Sequence, residues 1–340
     1  MNENMATMGE LSCQPVQEMC EWAGPHAKEV VESGAEQQAT QAIRGEYFSG
    51  ERPLYGLHDA QVSDCVFGEG ESPLKEARHV SVDNCVFKWK YPFWYADTVA
   101  VENTVLETVA HAGMWYVKNF SMKDCALQAG KLFRRSSGIF LTNVHFANAT
   151  ETFWNCEDVH LERVEAQGTY FGMNSRKIIA DHLDLIGDYA FDGASDILIT
   201  NSRIVAKDAF WNSTNVTVRD SFISGEYLGW NSTNLTLENC VVVSDQGLCY
   251  IKGLTIRNTK LLRTDLAFEL CSDIDAEITS SIDSVKNPVS GRIVAPRIDG
   301  VILDPAVVDP AQTEIISDGE RISESTMNEE HAQHIAGYNE

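Results

Sequence analysis

Residues 210–223 read FWNSTNVTVRDSFI, and the chain repeats this segment. Residues 228–242 read LGWNSTNLTLENCVV and residues 190–204 read AFDGASDILITNSRI, so successive copies lie 19 residues apart. In the central copy Val216 and Val218 alternate with Thr217 and Arg219, the two-residue period of a strand with one buried face. Asp220 interrupts the alternation, and Ser221 and Ile223 resume the inward side. Asn and Asp tolerate the left-handed backbone of a sharp bend. One repeat is therefore a short strand, a bend, a second short strand and a third segment such as Phe210-Trp211-Asn212.

With the polar residue of the bend as anchor, the pattern recurs at Asp64, Asn84, Asn103, Asp124, Asn143, Arg163, His182, Asn201, Asp220, Asn239 and Asn258, in steps of 19 to 21 residues. A near-constant period of this size marks a solenoid. The repeats carry no helical periodicity, no hexapeptide beat of a left-handed β-helix and no leucine-rich spacing. The predicted fold is all-β: a single-stranded right-handed parallel β-helix with about 19 residues per coil. Ten steps at one strand spacing each make the regular stack roughly 48 Å long. Residues 1–41 read as a polar N-terminal extension with a short helix near Val30, 42–305 as the β-helix with its two ends, and 306–340 as an acidic tail holding His331 and His334.

Lys and Arg number 26 against 50 Asp and Glu, a net charge of −24. Such a chain repels phosphate backbones and anionic lipid, so neither nucleic acid nor membrane is an expected partner. The first residues lack the basic and apolar regions of a signal peptide, and no apolar run is long enough to span a bilayer; the expected location is the cytoplasm. Cys65, Cys85, Cys125 and Cys240 directly follow anchors, in a column shared with Thr104, Ser202, Ser221 and Thr259. That column reads as an interior stack of thiols and hydroxyls. Cys65 and Cys85 lie on adjacent coils, close enough for a disulfide in an oxidising compartment, but in the cytoplasm free thiols are expected.

Nine residues before each anchor runs a column with Trp94, Trp115, Arg134, Trp154, Met173, Asp192, Trp211 and Trp230. Beside it run Tyr95, Tyr116, Arg135, Asn155, Asn174, Gly193, Asn212 and Asn231, whose asparagines read as an internal hydrogen-bonded ladder. Three residues ahead of the tryptophan column, Lys131, Glu151, Tyr170, Tyr189, Asp208 and Tyr227 form a polar column expected to face solvent. The tryptophans admit two readings, a core stack or an aromatic platform suited to sugar rings. Arg134 and Arg135 break the aromatic column, with Lys131 one coil from Glu151. This is either a lateral salt-bridge patch or a basic pocket for a carboxylate or phosphate, which arginine grips with a forked contact.

Glycoside hydrolysis needs two carboxylates about 5–5.5 Å or roughly 6.5–9.5 Å apart. Glu151 and Asp208 share a column three coils apart, about 14 Å, which is too far. Asp188 and Asp208 lie one coil apart and one position off column, with Asp192 close by, and form the best acid/base cluster, against the plainer reading of a solvated acidic wall. His145, His160 and His182 fall in different columns, so no metal site is expected; His111 is a weak candidate base. No phosphate loop, dinucleotide fingerprint or nucleophile elbow occurs, so no cofactor is expected.

The V-x-V-x-N-[CST]-x-[LIF] repeats with alternating FWN-type segments resemble the pectate-lyase-like superfamily of right-handed β-helices. The segments FWYADTV, ETVAHAGMWYVKN, CALQAGKLFRRSSGI and FWNCEDV, between residues 93 and 159, more closely resemble a bacterial family of uncharacterised function with this fold, and the likeness runs over roughly residues 42–305. The resemblance implies the fold and no particular activity. Superfamily members include lyases, hydrolases and esterases of acidic or neutral polysaccharides, but their calcium aspartates, catalytic arginine or aspartate trio do not map residue by residue onto this chain.

The resulting expectation is a carbohydrate-recognising β-helix able to act on oligosaccharides. Its candidate catalytic residues are Glu151, Asp188, Asp192 and Asp208; its candidate substrate-binding residues are Trp94, Trp115, Lys131, Arg134, Arg135, Trp154 and Trp211. The alternative is a non-catalytic solenoid that binds a protein partner or scaffolds an assembly.

Overall fold

The computed structural model describes residues 40–321. The expected N-terminal helix near Val30 and the tail histidines His331 and His334 lie outside the described residues.

Alternating Val, Ile and Leu build the long strand of each coil, and these strands pair in parallel and in register. Val80, Val99, Phe120, Ile139, Val159, Ile178, Ile197, Val216, Leu235 and Leu254 occupy one inward column along ten coils. The result is a parallel β-helix of about 15 turns with coils of about 19 residues.

The anchors behave as their residue types require. All eleven have left-handed backbone, with φ between 45 and 56°, including Arg163, which lacks the local preference of Asn and Asp. A side-chain ladder offsets the conformational cost: Asn84 Nδ2 donates to Asp64 at 2.7 Å, Asn239 to Asp220 at 3.1 Å and Asn258 to Asn239 at 2.9 Å. Each bend also takes a backbone N–H out of the strand ladder. The small residue one coil on accepts it: Cys85 N–H donates to Thr104 Oγ1 at 3.2 Å, Ser202 N–H to Ser221 Oγ at 3.0 Å and Cys240 N–H to Thr259 Oγ1 at 3.1 Å. That is why the column after the anchors holds thiols and hydroxyls: a buried donor without an acceptor is costly. The seven described cysteines are all buried and free. Burial pushes the thiols of Cys85, Cys125 and Cys156 up to about 12, so they are not reactive thiolates.

The C-terminal boundary differs from the expected residue 305. Thr313–Ser317 pairs in parallel with Gly291–Ala295, and Glu320–Arg321 folds back antiparallel on Ile316–Ser317. Ile315 is buried and continues the inward column of Ile293. The coil was hidden because the step from Ile293 to Ile315 spans 22 residues and breaks the regular beat. Among the described residues there is no α-helix, only a single 3-10 turn at Pro310–Gln312, and no helix is long and apolar enough to cross a membrane.

Candidate functional site on the tryptophan wall

The third segment of each coil alternates right- and left-handed residues; in one coil Asp208, Phe210 and Asn212 have φ of 55, 60 and 53°. This sends the phenylalanine inward and the next residue outward. Phe93, Phe133, Phe153, Phe191 and Phe210 are fully buried, while Trp94, Arg134, Trp154, Asp192 and Trp211 beside them are half-buried. The tryptophans are thus neither a core stack nor an open platform. Trp94 and Trp115 stack at 5.4 Å with planes 9° apart. The Arg134 guanidinium lies 4.6 Å from the Trp115 ring and 4.4 Å from the Trp154 ring. Strand spacing is close to ring-stacking distance, so like residues on successive coils cover one another's faces and turn their edges to solvent. The indole N–H groups are also engaged: Trp94 donates to Ala112 O at 2.6 Å and Trp115 to Lys131 O at 2.8 Å.

The expected basic pocket is filled. Glu151 pairs with Arg134 Nη2 at 3.0 Å and with Lys131 Nζ at 3.3 Å. One carboxylate between two cations is a counter-ion, so Glu151 is not a free acid and Lys131 and Arg134 are not an open anion receptor. Arg135 does not join Arg134. Its left-handed φ of 51° turns it into the exposed bend column next to Tyr116. The asparagines of this column do form a ladder, with Asn231 Nδ2 donating to Asn212 at 2.7 Å, but it is exposed rather than internal.

The three aspartates are brought together. Asp208 does not face solvent as its polar column suggested: it is 2 % exposed, and among the described residues no hydrogen-bond donor reaches its carboxylate. Burial pushes its pKa up; Asp188, Glu226 and Asp192 push the same way and Lys207 opposes them. Burial also raises Asp192, against a 3.5 Å hydrogen bond from Asn212 Nδ2. Asp188 is exposed and accepts the Lys207 N–H at 3.2 Å. The cluster sits where Met173 and Asp192 interrupt the aromatic column, which resumes at Trp211 and Trp230 with ring centroids 6.4 Å apart. Tyr170 and Tyr189 stack beside it at 4.9 Å, and Tyr189 lies 6.3 Å from Trp211.

A carboxyl whose folded pKa is raised holds its proton longer in the folded than in the unfolded state. Its ionisation then costs the fold stability above that raised pKa, and the cost disappears as pH falls below the unfolded value. Asp208→Asn is therefore expected to raise stability at pH 7, by on the order of 1 kcal/mol or about 2–4 °C in Tm, with no gain at pH 3. Thermal melts at the two pH values check this; a loss of stability at pH 7 would contradict the burial argument.

The histidines stay apart. His145 pairs with Glu165 at 3.1 Å, His160 with Asp158 at 2.9 Å and His182 with Asp181 at 2.7 Å, while His111 packs edge-on against Tyr91 at 5.9 Å. Among the described residues no group of three His, Cys, Asp or Glu side chains is placed to hold a metal ion. Tyr95 and Tyr116, neighbours in one column of the sequence, stack at 4.8 Å and 7°; the residues missed from sequence are Arg78 and Lys118 on the adjoining strands. Arg78, Asp97 and Lys118 share the first position of their strands, a column visible from the strand start and not from the anchor.

No curated protein matches the sequence significantly. Three similar solved structures are found at low identity. The tailspike protein of E. coli bacteriophage HK620 in complex with pentasaccharide is 8% identical, with 86% of this chain and 74% of that chain covered and a TM-score of 0.35. The A-module of the mannuronan C-5 epimerase AlgE4 of Azotobacter vinelandii is 9% identical, covering 70% and 91%, with a TM-score of 0.31. A hyperthermoactive exopolygalacturonase of Thermotoga maritima is 9% identical, covering 87% and 88%, with a TM-score of 0.26. Likenesses this distant speak to neither substrate nor site. Residues 41–316 match the family described as protein of unknown function, DUF3737, and with most of its length inside that match the chain belongs to this family.

Proposed function

We propose that this protein recognises carbohydrate along the tryptophan wall, centred on the interruption between Trp154 and Trp211. The observation that carries the reading is the coincidence at that interruption of flanking aromatics with Asp192 and the buried, unpartnered Asp208. Aromatic rings offer apolar contact to a sugar ring while carboxylates fix its hydroxyls. Three coil steps separate Trp154 from Trp211, roughly 14 Å. If the wall acts on its ligand, Asp208 and Asp192 are the proton donors, because burial favours their protonated forms, and exposed Asp188 is the base. Trp94 and Trp115 extend the wall. A cytoplasmic location is part of the proposal, supported by the unpaired state of the seven described cysteines; it favours a short saccharide over an extracellular polymer.

The test is mass spectrometry and calorimetry on the pure protein with a panel of neutral and acidic oligosaccharides. Cleavage with addition of water means a hydrolase and cleavage without water a lyase; either should fall by about 100-fold or more in Asp208→Asn. Binding without cleavage, lost in Trp154→Ala, supports recognition alone. A panel that is neither bound nor cleaved sinks the proposal. It would leave the second reading, a partner-binding solenoid, which is favoured by the flat edge-on presentation of Trp94 and Trp115.

A further inference from the structure

The chain carries 26 basic against 50 acidic residues, yet around the Tyr95–Tyr116 stack the balance inverts. Arg78, Asp97 and Lys118 lie in register on three successive strands. Lys75 Nζ sits 5.6 Å over the Tyr95 ring. Arg135 occupies the rung after Tyr116, since the Tyr116 N–H bonds to Arg134 O and the Arg135 N–H to Trp154 O. Four cations thus meet two carboxylates, Glu76 and Asp97. Both carboxylates are already served by neutral donors: Glu76 accepts from Tyr55 Oη at 2.8 Å, and Asp97 from Asn119 Nδ2 at 3.1 Å. Among the described residues no carboxylate pairs with Arg78, Lys118 or Arg135, in contrast to Lys131 and Arg134. A groove of about 300 Å³ is lined by Tyr95, Tyr116, Arg78 and Lys118 together with Glu76 and Asp97, and Arg135 stands one rung outside it; Tyr95 is 47 % exposed.

We infer that Tyr95 and Tyr116 with Arg78, Lys118 and Arg135 form a subsite for the anionic group of an acidic sugar, a carboxylate or phosphate carried on the ring. Guanidinium forks match the geometry of either oxyanion, and the tyrosine edges supply apolar contact and hydroxyl donors. The inference rests on the carbohydrate reading for the ring and on the unpaired cations for the charge. It moves the expected anion receptor from Lys131 and Arg134, which Glu151 neutralises, to the neighbouring columns.

The test is calorimetric titration of the full chain and of Arg78→Gln/Lys118→Gln with a neutral glucan tetrasaccharide, a uronate oligosaccharide, glucose 6-phosphate and inorganic phosphate. Both side chains are exposed and unpaired, so the double variant should melt with the wild type. The expected result is at least tenfold preference of the wild type for the uronate or the sugar phosphate over the neutral sugar. The double variant should lose that preference and keep its affinity for the neutral sugar. Which anionic sugar binds decides between carboxylate and phosphate. Binding of the neutral sugar alone, or equal anion affinity in both proteins, overturns this inference and leaves the carbohydrate reading standing. Inorganic phosphate binding as tightly as the sugar phosphate overturns the ring contact. If no sugar binds, both fall.

Discussion

Phe153→Ala is expected to destabilise the protein by about 3–5 kcal/mol, the cost of emptying a large aromatic site in a core that cannot collapse around it. Phe153 is 1 % exposed. It stacks on Phe133 at 5.0 Å and 16°, and meets Phe171 edge-on at 5.1 Å and Phe146 at 6.0 Å. The ring is held by neighbouring coils through Phe133 and Phe171 and from the facing strand by Phe146. Removing Phe153 takes one ring contact from each of Phe133, Phe171 and Phe146, while the paired strands on either side keep the coils from closing up. Trp154, the next residue, is half-buried on the outer wall, so Trp154→Ala should cost much less, near 1 kcal/mol. Denaturant titrations of the two variants check the contrast. Equal losses would mean that the outward column is structural, which would also remove its claim to be a binding wall.

Gly187→Ala is expected to cost about 3 kcal/mol, combining backbone strain with steric overlap, and to lower Tm by roughly 5–10 °C. Gly187 has φ of 149°, and a Cβ there would lie 2.0 Å from the carbonyl oxygen of Gly168 on the previous coil. The obstacle is backbone that is itself tied down, because the Gly168 N–H bonds to Ile186 O and the Gly187 N–H to Val205 O, both at 2.9 Å. Neither coil can withdraw without breaking its neighbour's ladder. Gly225 repeats the geometry, with its added Cβ 1.9 Å from Ala206 O. Ala206 sits between these glycines in the same column and keeps its methyl by adopting an ordinary backbone, with no positive φ. The prediction fails if Gly187→Ala melts within a degree or two of the wild type, which would show that the coil converts to the Ala206 conformation at little cost.

Much of the solenoid could be read from the chain because its physics is local and repeated. Val216 and Val218 alternating with Thr217 and Arg219 dictate which face of the strand is buried. Asp220 dictates a bend, and the recurrence every 19 residues dictates stacking in register. The thiol and hydroxyl column followed from the same counting. The last coil at Thr313–Ser317 escaped it because a 22-residue step has no repeat to be compared with.

The candidate site was legible as a set of columns and illegible as a surface. Sequence placed Trp94, Trp115, Arg134 and Trp154 one above another, and Asp188, Asp192 and Asp208 in one neighbourhood. It could not say that strand spacing turns the indole faces onto each other and onto the Arg134 guanidinium, or that Glu151 reaches both Arg134 and Lys131. Nor could it say that Asp208 is buried while Arg135, one residue from Arg134, is exposed. Column position depends on the period along the chain, which the residues themselves set. Exposure and pairing depend on where a run of left-handed turns aims each side chain and on what the adjacent coils place beside it, and only the stacked structure decides that.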